Sequence, residues 1–379
     1  MCQLHAPFRA DHVGSFLRPQ ALVEAREAFA QGKLSKAELT AVEDQAIREL
    51  VAKQKEVGLK NLTDGEFRRA YWHLDFFWGL NGVEHSQAQT GYVFNATVTK
   101  ADSALLSGKV SGENHPFVEH YKFLYQLAGE GYVARQTIPA PAQLYFELVR
   151  DAEHIANLAT FYPNKEELFA DLAKAYRQVI DDLYQAGCRN LQLDDCTWGA
   201  LVDDELLARI APEGLTAHEF REGLKEEFLT VNNLLLQQEF PADLIINTHI
   251  CRGNFRSDWA AKGGYNSVAD TLFAREAVDG YYLEFDSERA GDFAPLAQVP
   301  AGKKVVLGLL TSKDGKLEDA TKIKERIYQA SQYVPLENLY LSCQCGFAST
   351  EEGNVLTEEQ QWDKIRLIQQ IVAEVWQDA

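Results

Sequence analysis

Short β-rich runs alternate with longer stretches of helical periodicity along nearly the whole chain. About eight such runs can be distinguished by their β-branched and aromatic content. They end near Gly14, Asp64, Pro139, Asp194, His249, Phe285, Leu309 and Leu341. Parallel strands need a crossover between them, usually a helix, so this alternation is typical of parallel α/β proteins.

The intervening stretches have apolar residues three and four positions apart with charges between them, as outer helices do. The clearest are residues 165–186, 217–238, 320–332 and 358–376. Eight units, each a strand followed by a helix, could close into a barrel or form two open sheets. No linker rich in proline, glycine or serine interrupts the series. We therefore expect a single (β/α)8 TIM barrel over residues 1–379.

One segment departs from this rhythm. Residues 81–111 include an alternating β pattern at 91–99, which predicts a β-hairpin inserted after the second strand. The aromatic run at 71–78 is expected to pack in the core or in a lid, and we assign it no catalytic role.

Composition narrows the classes of partner. The chain has 37 basic and 56 acidic residues, a net charge of -19, which argues against nucleic acid or an anionic membrane as partner. No stretch has the roughly 20 apolar residues of a membrane span, and residues 1–7 lack a signal-peptide pattern, so a cytoplasmic location is expected. The six cysteines are expected to be free thiols or metal ligands, with no role for Cys2 or Cys188.

The chemistry-bearing residues lie at strand ends, which in a barrel converge on one mouth. His249 and Cys251 are two positions apart, so on a strand they point to the same face. Glu284 and one cysteine of the Cys343–Cys345 pair could complete a tetrahedral zinc site. We favour Cys345 because it precedes a glycine, although His249 and Cys251 could also be merely buried at a strand end.

Adjacent carboxylates follow two other strands. Asp194 and Asp195 point to opposite faces if the strand continues, so one should face the mouth, where it could hold an ammonium group; helix capping is the alternative. After the second strand, Glu66 is the expected inward group and Asp64 the expected turn former, with capping again an alternative.

Ser15 follows the first run and could present its hydroxyl and backbone amide to a substrate carboxylate, or could belong to a simple turn. The sequence contains no phosphate-binding glycine loop, dinucleotide fingerprint or nucleophile elbow, so nucleotide-dependent and serine-hydrolase functions lack support.

Six short motifs in this order resemble the carboxyl-terminal catalytic domain of cobalamin-independent methionine synthase. They are residues 14–16, 64–66, 192–195, 249–251, 283–284 and 345–346. The resemblance runs from about residue 9 to the last helix and implies a zinc (β/α)8 barrel. The zinc ligands that it implies are His249, Cys251, Glu284 and Cys345.

By the same resemblance, homocysteine is expected to bind to Ser15, Glu66 and Asp194. The implied reaction is methyl transfer to the homocysteine thiol to form methionine, with zinc keeping that thiol ionised. Glu284 is expected to loosen when the thiol enters, because it is the hardest of the ligands.

Three departures from the family concern the methyl donor. Residues 308–313 stand where the family has an acid histidine, and 138–143 stand where it has a tryptophan near the folate. Full-length members also carry a second, amino-terminal barrel, so the chain resembles the shorter stand-alone members. The donor could therefore be 5-methyltetrahydrofolate, another methylated small molecule or a methylated corrinoid carrier protein.

Two other functions remain open from the sequence. One is zinc-dependent alkyl transfer or a lyase reaction on another small thiol; Glu66 and Asp194 favour an amino-acid thiol instead, because their carboxylates suit an ammonium group. The other is a non-catalytic metal-binding barrel.

Overall fold

The computed structural model describes residues 4–376; Cys2 lies outside this part of the chain. The strands, in chain order, are β1 Asn61–Leu62, β2 Asn81–Gln87, β3 Asp102–Ser111, β4 Val133–Pro139, β5 Asn190–Asp194, β6 Ile245–Ile250, β7 Gly280–Glu284, β8 Lys304–Leu310 and β9 Leu339–Cys343. Seven of these form one parallel sheet in the order β1-β4-β5-β6-β7-β8-β9. The predicted α/β barrel class is confirmed, and strands β4 to β9 end within two residues of the expected positions.

The expected first strand is the exception, since it forms only an isolated parallel bridge between Ala10 and Leu341 of β9. Asp11 explains this, because its carboxylate accepts the backbone N–H groups of Phe8 and His12 and curves the chain locally. The same carboxylate accepts a 3.1 Å hydrogen bond from Asn61 of β1. Side chains thus connect the two edges of the curled sheet.

Helices cover the outside of the sheet. They are α1 Gln20–Ala30, α2 Lys36–Glu56, α3 Leu74–Phe77, α4 Phe117–Ala128, α5 Pro141–Leu148, α6 Ala152–Phe161, α7 Lys165–Gln185, α8 Thr197–Leu201, α9 Asp204–Ile210, α10 Ala217–Leu236, α11 Ala269–Arg275, α12 Ala320–Ala330 and α13 Glu358–Val375. Serine or threonine capping boxes start α2, α10 and α13. In α7, residues such as Leu172, Tyr176 and Val179 form the buried face at three and four spacing. None of the helices between residues 4 and 376 is long and apolar enough to cross a membrane.

The insertion at residues 81–111, which follows β1 and α3, contains a hairpin, as expected, but the strands of this hairpin are β2 and β3. The alternating stretch at 91–99 is instead the loop between them, pinched by a bridge between Val93 and Val98. Both valines are more than half exposed, so the alternation reflects a loop surface and not a packed strand.

Candidate metal and substrate site

Three side chains of types that can bind a metal ion meet at the carboxyl ends of the strands. The ligand atoms of His249, Cys251 and Cys345 all lie within 4.8 Å of one another, and all three residues are buried. His249 lies on β6, Cys251 directly follows β6, and Cys345 follows β9. The barrel therefore brings together residues that are almost 100 positions apart in sequence.

The hydrogen bonds of His249 determine which ring nitrogen is available. Nδ1 lies 3.2 Å from the carbonyl oxygen of Tyr282, which can only accept, so Nδ1 carries the hydrogen. Nε2 is then the unprotonated nitrogen, and it lies 3.6 Å from Sγ of Cys345. A backbone carbonyl that fixes the tautomer in this way is the usual support of a metal-binding histidine.

The cysteines need a positive charge to ionise. A hydrogen bond that Cys345 donates to Cys251, together with burial, raises the pKa of the Cys345 thiol well above its ordinary value. Contact with Cys196 likewise raises the pKa of Cys251. A dication between the sulfurs would reverse both effects, since a coordinating thiol is deprotonated. Soft sulfur and imidazole donors in this number fit zinc.

Glu284 ends β7 but does not belong to this three-residue group. One carboxylate oxygen accepts a 2.5 Å hydrogen bond from Arg289, and the other accepts a 2.8 Å bond from the backbone N–H of Arg252. Burial alone would raise the pKa of Glu284, but the charges of Lys313, Arg252 and Arg289 prevail and lower it to about 2. The carboxylate is therefore an anion that already has cationic partners.

The structure separates the two cysteines of the Cys-x-Cys pair. Cys345 lines the mouth of the barrel, whereas Cys343 is fully buried in the hydrophobic core. Gly346 matters for a reason other than the expected backbone freedom: a side chain there would overlap the Ser15 hydroxyl. Lack of a Cβ lets the loop that carries Cys345 pass directly over Ser15.

Ser15 and Glu66 both line the same cavity. The hydroxyl of Ser15 accepts the backbone N–H of Ala348 at 3.2 Å. Glu66 has a φ of 62°, an uncommon conformation for a non-glycine residue, and Asp64 supports it by accepting the Glu66 N–H at 2.9 Å. The predicted division between Asp64 as turn former and Glu66 as inward group is what the geometry shows.

Asp194 and Asp195 point in opposite directions, as their strand position suggests. Asp194 lines the cavity, and its Cα is in register with that of His249 on the neighbouring strand. Asp195 instead accepts hydrogen bonds from Thr197 N at 3.0 Å and from Asn232 at 2.9 Å. Burial and then the negative charge of Glu66 raise the pKa of Asp194 well above its ordinary value, so a cation beside these two carboxylates would be stabilised.

Behind this strand end, a buried carboxyl group makes stability depend on pH. Glu276 shares Asn232 with Asp195, and burial followed by the charge of Asp195 raises the pKa of Glu276 to about 8. Because this folded-state pKa exceeds the unfolded value of about 4.3, the wild type loses stability as pH rises through about 8. We expect Glu276→Gln to gain stability relative to wild type between pH 5 and pH 9, approximately, in urea titrations at several pH values. If the free energies of unfolding of the variant and the wild type differed by the same amount across that range, the raised pKa of Glu276 would be contradicted.

The cavity next to these residues has a volume of about 260 Å³. Its outer wall is mainly apolar and aromatic, and it is supplied by the insertion and the aromatic run. The residues concerned are Tyr71, Trp72, His73, Tyr92, Val93 and Phe94. Core packing is found for Phe76 and Phe77, which are fully buried, whereas the three residues at the start of the run, Tyr71 to His73, face the cavity.

Sequence reasoning missed two features of the site. Cys196 has no role in the sequence-based prediction, yet its sulfur lies 3.1 Å from that of Cys251. The cationic partners of Glu284 were missed as well, because Arg289 lies in a single 3₁₀ turn after β7 that has no sequence pattern of its own. The position of Cys196 directly after a strand end was a usable signal.

The placement of donors and carboxylates at the carboxyl ends of a parallel barrel is the placement of active sites in (β/α)8 proteins. Residues 151–361 match the family model described as the catalytic domain of cobalamin-independent synthase. The chain belongs to the cobalamin-independent methionine synthase family.

Relatives and solved structures agree with this family. The chain is 45% identical to the uncharacterized protein YxjH of Bacillus subtilis, over 99% of this chain and 96% of YxjH. A crystal structure from Listeria monocytogenes, provisionally assigned as a vitamin-B12-independent methionine synthase, has 40% identity, a TM-score of 0.74 and 99% coverage of both chains. A B12-independent methionine synthase from Shewanella, solved with selenomethionine, shares the fold at 19% identity and a TM-score of 0.70, covering 98% of this chain and 99% of its own.

Proposed function

We propose that this protein is a zinc-dependent methyltransferase that transfers a methyl group to the thiol of homocysteine to form methionine. The observation that carries the proposal is the group of His249, Cys251 and Cys345 beside the two cavity carboxylates. It places donors for a thiol-activating metal next to groups that suit an amino acid. The family and the selenomethionine bound to the Shewanella protein support this assignment.

His249, Cys251 and Cys345 are the proposed zinc ligands. A bound zinc ion would keep the substrate thiol ionised at neutral pH and hold its sulfur in place. Glu284 is the fourth ligand that the sequence suggests; to act as one, its carboxylate would have to exchange its bond to Arg289. Thiolate ligands require reduced cysteines, which is consistent with a reducing compartment such as the cytoplasm.

Asp194 and Glu66 would bind the homocysteine ammonium group, and Ser15 its carboxylate. Burial and the charge of Glu66 disfavour the anionic form of Asp194, and a bound ammonium group would favour that form. The substrate sulfur would then form a bond to the methyl carbon as the bond between that carbon and the donor breaks. The bonding electron pair stays with the donor.

The apolar part of the cavity is the proposed donor site. Tyr71, Trp72, Phe94 and Phe146 line it, and such a surface suits a flat or apolar methyl donor and excludes water from the transfer. This favours a small molecule such as 5-methyltetrahydrofolate, while a methylated corrinoid carrier protein would have to reach through the same opening.

The test is zinc X-ray absorption of purified protein with the selenium analogue of homocysteine. We expect about one zinc per chain and a zinc–selenium scattering path when the analogue is added. The same protein should form methionine when supplied with homocysteine and a suitable donor from a panel. Absence of zinc after metal repletion, or zinc without a selenium neighbour, would contradict the proposed function.

A further inference from the structure

Gln143 is a buried residue of the cavity wall whose amide oxygen is unpaired. The residue is 6% exposed and lines the cavity together with Asp194. Its Oε1 is buried and accepts no hydrogen bond within residues 4–376. A buried polar atom without a partner destabilises a folded protein, so it calls for an explanation by function.

The backbone fixes the position of Gln143 beside the substrate carboxylate. Helix α5 begins directly after β4, where the N–H of Ala140 donates a 2.9 Å hydrogen bond to the carbonyl of Asp194. The N–H of Ala142 donates a 3.0 Å hydrogen bond to the side chain of Asn232. The first turn of α5, which contains Gln143, is therefore held against the strand end that carries Asp194.

The same face of α5 also presents an aromatic ring to the cavity. Phe146 follows Gln143 by three positions, and residues at this spacing are neighbours on a helix surface. Both line the cavity, and Trp72 and Phe94 extend its apolar wall from the other side of the sequence. An aromatic wall of this kind suits a flat ring, and a single polar group beside it fixes the orientation of that ring.

The amide of Gln143 suits one kind of ring edge. A side-chain amide has a carbonyl oxygen that accepts and an NH₂ group that donates, side by side. It can therefore make two hydrogen bonds to an edge that offers a donor next to an acceptor, as glutamine does with the edge of adenine. A lactam and an aminopyrimidine both have such an edge, which we call an amide-like edge.

We propose that Gln143 is a specificity-determining residue of the donor site and binds the amide-like edge of a flat heterocyclic methyl donor. This rests on the proposed function, whose class of methyl donor it narrows. Small methylated amines have no such edge. They would leave the Gln143 amide unpaired in the cavity and would bind more weakly.

Binding of pterin and quinoxaline to the zinc-loaded protein tests this role. The two molecules have the same fused pair of six-membered rings, but quinoxaline has no amide-like edge. The wild type should bind pterin more tightly than quinoxaline. Gln143→Leu should lower the ratio of the two affinities by about 10-fold or more, because the edge of pterin then loses its hydrogen bonds in a buried site. Titration calorimetry measures both affinities.

Urea unfolding gives a second readout that a structural role would not reproduce. The amide oxygen of Gln143 has no partner to lose, so Gln143→Leu should unfold at the same urea concentration as the wild type or at a higher one. Gln54→Leu is the matched control, because Gln54 is also buried but both atoms of its amide bond to the backbone of Thr63. This control should lower the midpoint and leave the ratio of the two affinities unchanged.

Three results would overturn the role of Gln143. One is a wild type that binds quinoxaline as tightly as pterin, since water would then satisfy the amide, and this result does not depend on whether any variant folds. Another is an unchanged ratio of affinities in folded Gln143→Leu. The third is a midpoint of Gln143→Leu as low as that of Gln54→Leu, which would make the role a structural one.

The zinc and selenium measurement separates this proposal from the proposed function, because it does not involve Gln143. A zinc–selenium path together with an unchanged ratio of affinities would overturn only the role of Gln143. A ratio that falls in Gln143→Leu, in a protein that binds no zinc after repletion, would overturn the proposed function and leave Gln143 as a residue that binds a ring edge.

Discussion

Cys345→Ala is expected to lose the bound zinc and, with it, methyl transfer to homocysteine. Cys345 is the proposed ligand that joins β9 to the β6 pair, and its Sγ lies 3.6 Å from Nε2 of His249. Loss of a residue that merely supports a metal ligand costs about 10- to 100-fold in metal affinity or activity, so loss of a ligand should cost more than about 100-fold. Competition with a chromogenic zinc chelator gives the affinity, and methionine formation gives the activity.

Cys343→Ala is the control for that experiment, since it removes the other cysteine of the same pair. Cys343 is completely buried and packs in the core of the barrel. Its loss should lower the free energy of unfolding through the cavity that it leaves, with zinc content and activity unchanged per folded molecule. Equal zinc loss in both variants would mean that the Cys345 effect is one of folding.

The sequence was sufficient to predict the carboxyl ends of most strands, and this follows from the nature of the barrel. A parallel strand buried on both faces is a continuous apolar run, so the polar residue that ends it is conspicuous. Asp194 and His249 each end such a run, and the parallel register places them side by side. The strand register then sets the distance between these two residues.

Other features depend on side chains that have no local pattern. The first strand is reduced to a bridge because the Asp11 carboxylate binds nearby backbone amides, which no periodicity reveals. The ion pair of Glu284 with Arg289 depends on how a short 3₁₀ helix after β7 folds back. The contact of Cys196 with Cys251 similarly arises from two chain segments that are 55 residues apart.

Asp194→Asn is expected to weaken homocysteine binding by about 10- to 100-fold, because a hydrogen bond to a charged group contributes about 1.5 to 3 kcal/mol. The change keeps the shape of the side chain but removes the carboxyl group that a bound ammonium ion would stabilise as an anion next to Glu66 in the cavity. The same substitution should leave 4-mercaptobutanoate unaffected or bound more tightly, since this thiol has no ammonium group. Titration calorimetry with both thiols on the zinc-loaded protein measures the difference.

Asp195→Asn is the matched control, as it makes the same chemical change one residue further along the chain. Asp195 faces away from the cavity and bonds to Thr197 and Asn232, so its loss should affect stability and not the ratio of the two affinities. If Asp194→Asn weakened the binding of both thiols equally, Asp194 would have a structural role. A substrate without an amino group would then fit the site better. Selective loss of homocysteine, in contrast, would require an ammonium group between Asp194 and Glu66, because only the charge of the ligand distinguishes the two thiols there.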